Sequence, residues 1–370
     1  MAVTTKSKVV STDLKLTAQF RSKWRFGANR ECFGRQDNIE SWTLVSVAGI
    51  AIMTSNETLC EARKDEEIGA THGNSNVYDM NDNSDKMSIY FDAAYEPKKL
   101  LGSGTFGVVM QCAHKQTGRV SAVKMIQDVL ENQEEVKRER MALERLERAG
   151  GHDCIVGYER TYNHDDFHYI VLEYVPGTSL YSFLKENRSL NTTLSLHLVS
   201  QLASALQFMH HEDIVHRDLK PENIMLEEIT KNGENVKLKI IDFGSAGRVS
   251  QPESEKAHTT TLSGTRCYWP PEALQHPMMT TAMDMWALGC ILYILISGRH
   301  PFDLTGHSTE DDVLRRVKVE PVSFLLPVWH EVPIETKDLI LGLLQKDPCD
   351  RLTAEQVLEH PAMVGIKSMT

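Results

Sequence analysis

His216-Arg217-Asp218-Leu219-Lys220-Pro221-Glu222-Asn223, followed nineteen residues after Asn223 by Asp242-Phe243-Gly244, is the stretch on which the reading of this chain turns. It sets a carboxylate base, a cation and two metal-ligating side chains within one short run. Transfer of a phosphoryl group requires those parts: a hydroxyl must be held in line with a departing nucleotide, and the phosphate charge must be neutralised by Mg²⁺ and a lysine. Any one of these residues alone would more often be an ordinary loop ion pair. Eight in register, followed by Asp-Phe-Gly, are hard to obtain by chance.

Upstream, Leu101-Gly102-Ser103-Gly104-Thr105-Phe106-Gly107-Val108-Val109 contains Gly-x-Gly-x-x-Gly, whose missing side chains let backbone N–H groups approach phosphates. In its dinucleotide-binding form this motif opens a helix, and a P-loop ends in Gly-Lys-Ser/Thr; here a valine-rich strand follows instead. Seventeen residues past Gly107 the run Val-Ser-Ala-Val-Lys puts Lys124 on the second strand of a hairpin, with Val123 on the opposite face.

Together these runs resemble eukaryotic protein kinases of the serine/threonine type, over residues 96 to 361. The resemblance implies a bilobal α+β fold, with a small sheet lobe carrying one helix and a larger helical lobe. It implies ATP and Mg²⁺ as cofactors and Ser/Thr hydroxyls of proteins as acceptors. Asp218 then accepts the hydroxyl proton, Lys220 steadies the γ-phosphate, and Asn223 with Asp242 holds Mg²⁺. Lys124 contacts the α- and β-phosphates and is held by a helix carboxylate, for which Glu139 is preferred over Glu135 and Glu144. The glycine loop from Leu101 to Gly107 covers the phosphates. Val109 and Ala122 roof the adenine and Met225 forms its floor, while Leu172 borders the back and the backbone of Glu173 and Val175 meets the adenine edge. Leu143, Tyr158, His216 and Phe243 form a stack between the lobes.

By the same resemblance Ser263 to Glu272 closes an activation segment, with Pro270 where the family has alanine; Glu272 pairs with Arg351, and Asp284, Trp286 and Gly289 lie on the helix that braces the catalytic loop. Arg217 is the family's receiver for an activation-segment phosphate, and Thr261 is the preferred acceptor over Thr259, Thr260 and Ser263. An upstream activating kinase is thereby expected. Ser297 to Phe302, Leu343 to Pro348 and Arg351 to Ala354 look most like the calcium/calmodulin-dependent-kinase-like group. Members that favour arginine upstream of the acceptor carry an acid just after the hinge, where this chain has Gly177-Thr178-Ser179-Leu180, although Glu222 stays near the peptide groove. Direct calmodulin binding is not expected, since only a short tail, 362 to 370, follows the last family helix. A scaffold without catalysis would commonly lack Lys124, Asp218 or Asp242, and a small-molecule phosphotransferase would lack the Gly264 to Glu272 platform.

Composition agrees. The chain has 370 residues and a net charge of −11, which argues against a nucleic-acid binder. Seven scattered cysteines without a Cys-x-x-Cys pair fit a reducing compartment, and a cytoplasmic location with access to the nucleus is expected. The longest apolar run, Trp42 to Met53, is too short to span a membrane, and is read as a short helix or strand docking on the catalytic domain. Residues 1 to 95 form an extension read as largely disordered. Residues 1 to 30 carry seven Lys or Arg against Asp13 alone, a composition vaguely like a mitochondrial leader, though a solvated tail is the preferred reading. Residues 54 to 95 are acidic, and Asn74 to Lys86 reads as a linker.

Periodicity gives a hairpin of Phe106 to Cys112 and Arg119 to Met125 about Lys115-Gln116-Thr117-Gly118, and a strand from Asp166 to Tyr174. A charged helix from Glu131 to Arg148 is expected to bury Val136, Met141, Leu143 and Leu146. Later helices are read at 194–211, 281–297, 333–344 and 353–360.

Overall fold

The computed structural model describes residues 90–103, 107–229, 236–249, 266–274, 280–364 and 366. Gly104, Thr105, Phe106, Thr259, Thr260, Thr261, Ser263 and Gly264 lie outside the described residues, as does the run Trp42 to Met53.

Alternation in the valine-rich hairpin builds the small lobe. β1 (Tyr95–Ser103), β2 (Gly107–His114), β3 (Val120–Gln127), β4 (Tyr158–His164) and β5 (Phe167–Glu173) form an antiparallel sheet ordered β1-β2-β3-β5-β4. Val108, Met110, Val123, Met125, Tyr169 and Val171 point to one face and make that lobe's own core. Val109, Ala122, Lys124 and Leu172 occupy the alternate positions, and registers Val109↔Lys124 and Ala122↔Leu172 put them on the other face. Val123 is fully buried opposite Lys124, as the alternation requires. A Cβ at Gly107 would collide with the Met125 carbonyl, so only glycine lets β2 enter the sheet there.

The fold starts before residue 96. A short helix α1 (Phe91–Ala94) precedes β1, and Phe91 is fully buried against Tyr169 and Tyr95, with ring centroids 4.4 and 5.3 Å apart. Between β3 and β4 runs α2 (Leu130–Arg148), burying Val136, Glu139, Leu143 and Leu146. Met141 is 52% exposed, which corrects its expected place in the core: two residues from Glu139 and Leu143, it lies about 200° around the helix from each.

After β6 (Thr178–Ser179) the chain becomes mainly helical, with α3 (Leu180–Asn187) and α4 (Thr192–His211). Ser179 and Asn191 cap these helices by accepting from Ser182 N–H and Leu194 N–H. β7 (Ile214–Val215) leads into the quoted loop, and β8 (Ile224–Ile229) with β9 (Val236–Ile240) makes the hairpin beneath the cleft. β10 (Gly247–Arg248) pairs back on β7. Then come α5 (Ala282–Ser297), α6 (Glu310–Val319), α7 (Ile334–Leu343) and α8 (Ala354–Glu359). α5 is apolar around nearly its whole circumference and is accordingly buried, ending on Gly298 in the left-handed region at φ 66°. Leu143 and Phe243 fall in the large core that runs between the lobes, with Tyr158 packed against it.

Candidate active site

Lys124 projects from β3 toward Glu139, which α2 presents one turn after Glu135. Its ammonium donates to both Glu139 carboxylate oxygens at 3.0 and 2.8 Å and to Asp242 Oδ1 at 3.3 Å. Among the three helix carboxylates, Glu139 is therefore the partner. Glu144 instead meets Arg140, Arg148 and Tyr158. Glu135 lies close enough that a Cβ on Gly244 would sit 3.1 Å from its Oε1, and burial lifts its carboxyl to about 7. Burial works against the Lys124 charge, yet Asp242 and Glu139 outweigh it and raise the lysine's pKa; Lys124 in turn holds Asp242 at about 2. Burial pushes the Glu139 carboxyl up against the pull of Lys124.

The quoted loop folds around Asp284, a nearly fully buried carboxylate on α5. It accepts from His216 N–H and Arg217 N–H, each at 2.9 Å, and lies 2.9 Å from His210 Nε2. Burial opposes its charge, but the contacts to His210 and His216 prevail and keep its pKa low. Those two N–H bonds hold Arg217 at φ 69°, a left-handed conformation that costs a non-glycine residue about 1 kcal/mol or more. His216 is buried edge-on against Phe243, ring centroids 5.2 Å apart, the one contact of the expected stack that the structure shows directly; Leu143 lies in the same large core as Phe243.

Downstream of that turn, Asp218 Oδ2 accepts from Lys220 Nζ at 2.7 Å and from Asn223 Nδ2 at 3.1 Å; Asn223 Nδ2 also donates to the Asp218 carbonyl at 2.8 Å. Asn223 sits in the 3-10 turn Pro221–Asn223 and hands its own carbonyl to Ile241 N–H, which fixes Asp242 next along the chain. Asp242 Oδ1 also accepts from Gly244 N–H at 3.1 Å. The Asn223 amide nitrogen is thus committed to Asp218, so its oxygen is the atom a cation would take. The carboxamide oxygen and the strongly acidic carboxylate suit a hard, oxygen-seeking cation, and the Lys124 ammonium suits the phosphates that such a cation would carry.

Val109 and Ala122 are half-buried on the cleft face of the sheet, Leu172 is buried behind them, and Met225 is half-buried on β8. Glu173 is anchored from both ends: its backbone N–H donates to the Gly157 carbonyl at 2.8 Å, while its carboxylate accepts from Gly157 N–H and pairs with Lys239, each at 3.0 Å. Val175 follows, buried in the interlobe core. Leu101 is exposed, Gly102 is half-buried and Ser103 is exposed at the end of β1.

Sequence reading missed two arginines. Arg138 on α2 and Arg248 on β10 line a cavity of about 550 Å³ together with Gly247, and Gly247 packs so closely on Arg217 that a Cβ there would lie 2.5 Å from its guanidinium. Burial, then Arg138, lowers the Arg217 pKa. Arg138 immediately precedes Glu139, and a turn of 100° per residue already puts it on the next stripe of the helix. Lower in the large lobe, Glu272 and Arg351 meet as expected in a bidentate pair at 2.7 and 3.0 Å, with the arginine side chain fully buried.

Residues 95–363 match the protein kinase domain. The chain is 40% identical to Serine/threonine-protein kinase PKZ1 of Phytophthora infestans, over 71% of this chain and 69% of that protein. It is 34% identical to the phosphorylase b kinase gamma catalytic chain, liver/testis isoform, of Bos taurus, covering 73% of this chain and 66% of the relative. To Serine/threonine-protein kinase DCLK3 of Mus musculus it is 35% identical, over 75% of this chain and 34% of the relative. The chain belongs to the protein kinase family, as a serine/threonine kinase of bilobal α+β fold that transfers phosphoryl groups to Ser/Thr hydroxyls. ATP and Mg²⁺ are general to that family.

Proposed function

We propose that this chain's own cleft carries out the transfer, with Asp218 as the base and Lys124, Asn223 and Asp242 as the residues that hold a magnesium nucleotide. The carrying observation is that Lys124 is bonded simultaneously to Glu139 and Asp242 while Asp218 is oriented by Lys220 and Asn223. ATP with Mg²⁺, when bound, supplies the phosphoryl group and the positive charge that offsets it. Asp218 Oδ2 is occupied by Lys220 and Asn223, which leaves Oδ1 to accept the proton of a Ser or Thr hydroxyl. The Lys220 ammonium donates to that carboxylate at 2.7 Å and would steady the transferring phosphoryl group. Glu139 fixes the Lys124 ammonium in place, which makes it a positioning residue.

The acceptors are proposed to be protein side chains lying past Glu222, whose carboxyl is half-buried and raised in pKa by burial. An upstream kinase acting on Thr261 would supply a phosphate for Arg217, and Arg138 and Arg248 support that reading because they add positive charge beside it. Direct calmodulin contact forms no part of the proposal. A cytoplasmic location is supported by five free cysteines among the described residues. Separately, no helix among those residues is long and apolar enough to cross a membrane.

The test is transfer of labelled γ-phosphate from ATP and Mg²⁺ to a mixed peptide library, comparing the chain with Asp218→Asn. Label on Ser/Thr peptides that vanishes in the variant is expected. No transfer from either protein, even after treatment with an activating kinase, would overturn the assignment and leave a nucleotide-binding scaffold.

A further inference from the structure

Between α5 and α6 the chain is strapped down by its own hydrogen bonds. Ser297 Oγ donates to the Tyr293 carbonyl at 2.7 Å and accepts from Arg299 N–H at 3.1 Å. Asp303 N–H donates to the His300 carbonyl at 2.9 Å, and Arg316 on α6 holds the Phe302 carbonyl at 3.0 Å. The Phe302 ring lies parallel to Trp286, centroids 5.7 Å apart. His300 therefore stands on a rigid base, but its imidazole is only half used. Nδ1 accepts from Phe302 N–H at 3.3 Å, and burial keeps the ring neutral, with a pKa of about 4. A neutral imidazole that accepts at one nitrogen carries its hydrogen on the other. That nitrogen, Nε2, is buried and has no hydrogen-bond partner among the described residues. A buried donor without a partner is uncommon in a native fold and calls for an acceptor. The ring faces the Cys267 backbone, whose carbonyl can serve.

Cys267 belongs to a lightly held turn. Arg266–Tyr268 is a single 3-10 turn closed by Trp269 N–H on the Arg266 carbonyl at 3.0 Å, and Arg266 comes no nearer to Glu310 than 3.6 Å. The Tyr268 ring stands edge-on to His300, centroids 5.8 Å apart. Burial, then the charge of Glu222, raises the Tyr268 pKa well above its ordinary value, so the phenol lies toward that carboxylate. Glu222 adjoins Asn223, which bonds Asp218. The turn thus joins the His300 base to the acceptor side of the catalytic loop.

We infer that His300 is a positioning residue for the acceptor peptide: on the acceptor side proposed above, its Nε2–H bonds the Cys267 carbonyl when a peptide seats, clamping the Arg266–Tyr268 turn beside Glu222. A bond made only with the peptide in place favours that state alone. Its loss therefore weakens the peptide and leaves the nucleotide untouched, since Lys124, Asn223 and Asp242 have no part in the turn.

Two variants of the full chain separate the donor from the ring. His300→Phe keeps an aromatic edge against Tyr268 without the N–H, and His300→Gln puts an amide N–H near the place of Nε2. With the peptide library as acceptor, His300→Phe should raise the peptide KM about three- to tenfold, the size of one neutral hydrogen bond, with the ATP KM within twofold. His300→Gln should hold the peptide KM within twofold of the parent. Amide hydrogen exchange, read without turnover, should show residues 266–272 protected by added peptides in the parent and in His300→Gln but not in His300→Phe. A peptide KM and protection unchanged in His300→Phe, a Gln variant no better than the Phe variant, or KM values for peptide and ATP rising in parallel would each overturn the inference. A parent that transfers no phosphate fails the role given to Asp218, whereas the exchange of the turn still decides that of His300.

Discussion

Asp284→Asn isolates what holds the catalytic loop in its strained shape. In the native protein the carboxylate accepts from His216 N–H and Arg217 N–H on separate oxygens, both at 2.9 Å, in a nearly fully buried position. Asparagine offers one acceptor oxygen, so one bond survives while the other N–H faces an NH₂ group. A hydrogen bond to a charged group contributes about 1.5–3 kcal/mol, and the stranded N–H adds about 1 kcal/mol or more. The expected cost is therefore about 3 kcal/mol. For a domain of this size that lowers Tm by roughly 6–12 °C. Because Arg217 sits at φ 69° only while both N–H groups are held, the turn should relax and carry Asp218 with it. Lys124, Glu139 and Asp242 do not touch Asp284, so kcat should fall about 100-fold with KM for ATP changed less than threefold. Thermal unfolding by circular dichroism and steady-state kinetics at saturating peptide measure both. A variant within 2 °C and twofold of the parent would refute the assignment of Asp284 as the anchor of the loop.

Glu139→Gln should keep the helix folded but slacken Lys124, lowering kcat/KM for ATP about 100-fold, equivalent to about 2.7 kcal/mol; measured nucleotide titrations decide it. Arg351→Met should cost about 3–5 kcal/mol by stranding Glu272, whereas changing Glu272 to Met as well should recover much of that loss, as urea denaturation of the pair will show. Burial holds the His300 imidazole down at about 4 against an ordinary 6.5. Between those values the unfolded chain binds the extra proton, so stability rises with pH through the window and is lost as pH falls from 6.5 to 4, by about 2–3 kcal/mol. His300→Phe, placed between the Tyr268 and Phe302 rings, should flatten that acid limb in melts at pH 4.5 and 6.5.

Residues whose chemistry demands neighbours close along the chain were the most legible. Asp218, Lys220 and Asn223 share one loop, so their spacing alone brought them together, and the two-residue alternation correctly opposed Lys124 to Val123. The helices expected at 194–211, 281–297, 333–344 and 353–360 were recognisable from apolar recurrence and lie within a residue or two of those bounds, whereas α3 and α6 were not read from the sequence. β1 escaped notice because its burial is irregular and its register shifts twice against β2, which breaks the alternation that a strand reading depends on. β4 carries a similar shift. Arg138, Arg217 and Arg248 gather from a helix, a loop and a strand, so no local spacing could announce them. Met141 was misplaced because an apolar residue in a charged helix was counted toward the core without resolving which stripe it occupied.

Arg145, near the end of α2, is tied to Glu212 at 3.3 Å and to Asp213 at 3.4 Å, both in the turn that leads to β7. That tether makes the helix a lever with its fulcrum at the C-terminal end. Glu139 stands six residues from it, about 9 Å along the axis, so a tilt of 10° would swing its carboxylate by about 1.6 Å and part it from Lys124. The free end, at Leu130, would travel more than twice as far. Small forces applied there gain mechanical advantage, and the cleft can be armed or disarmed without any atom of the catalytic loop having to move.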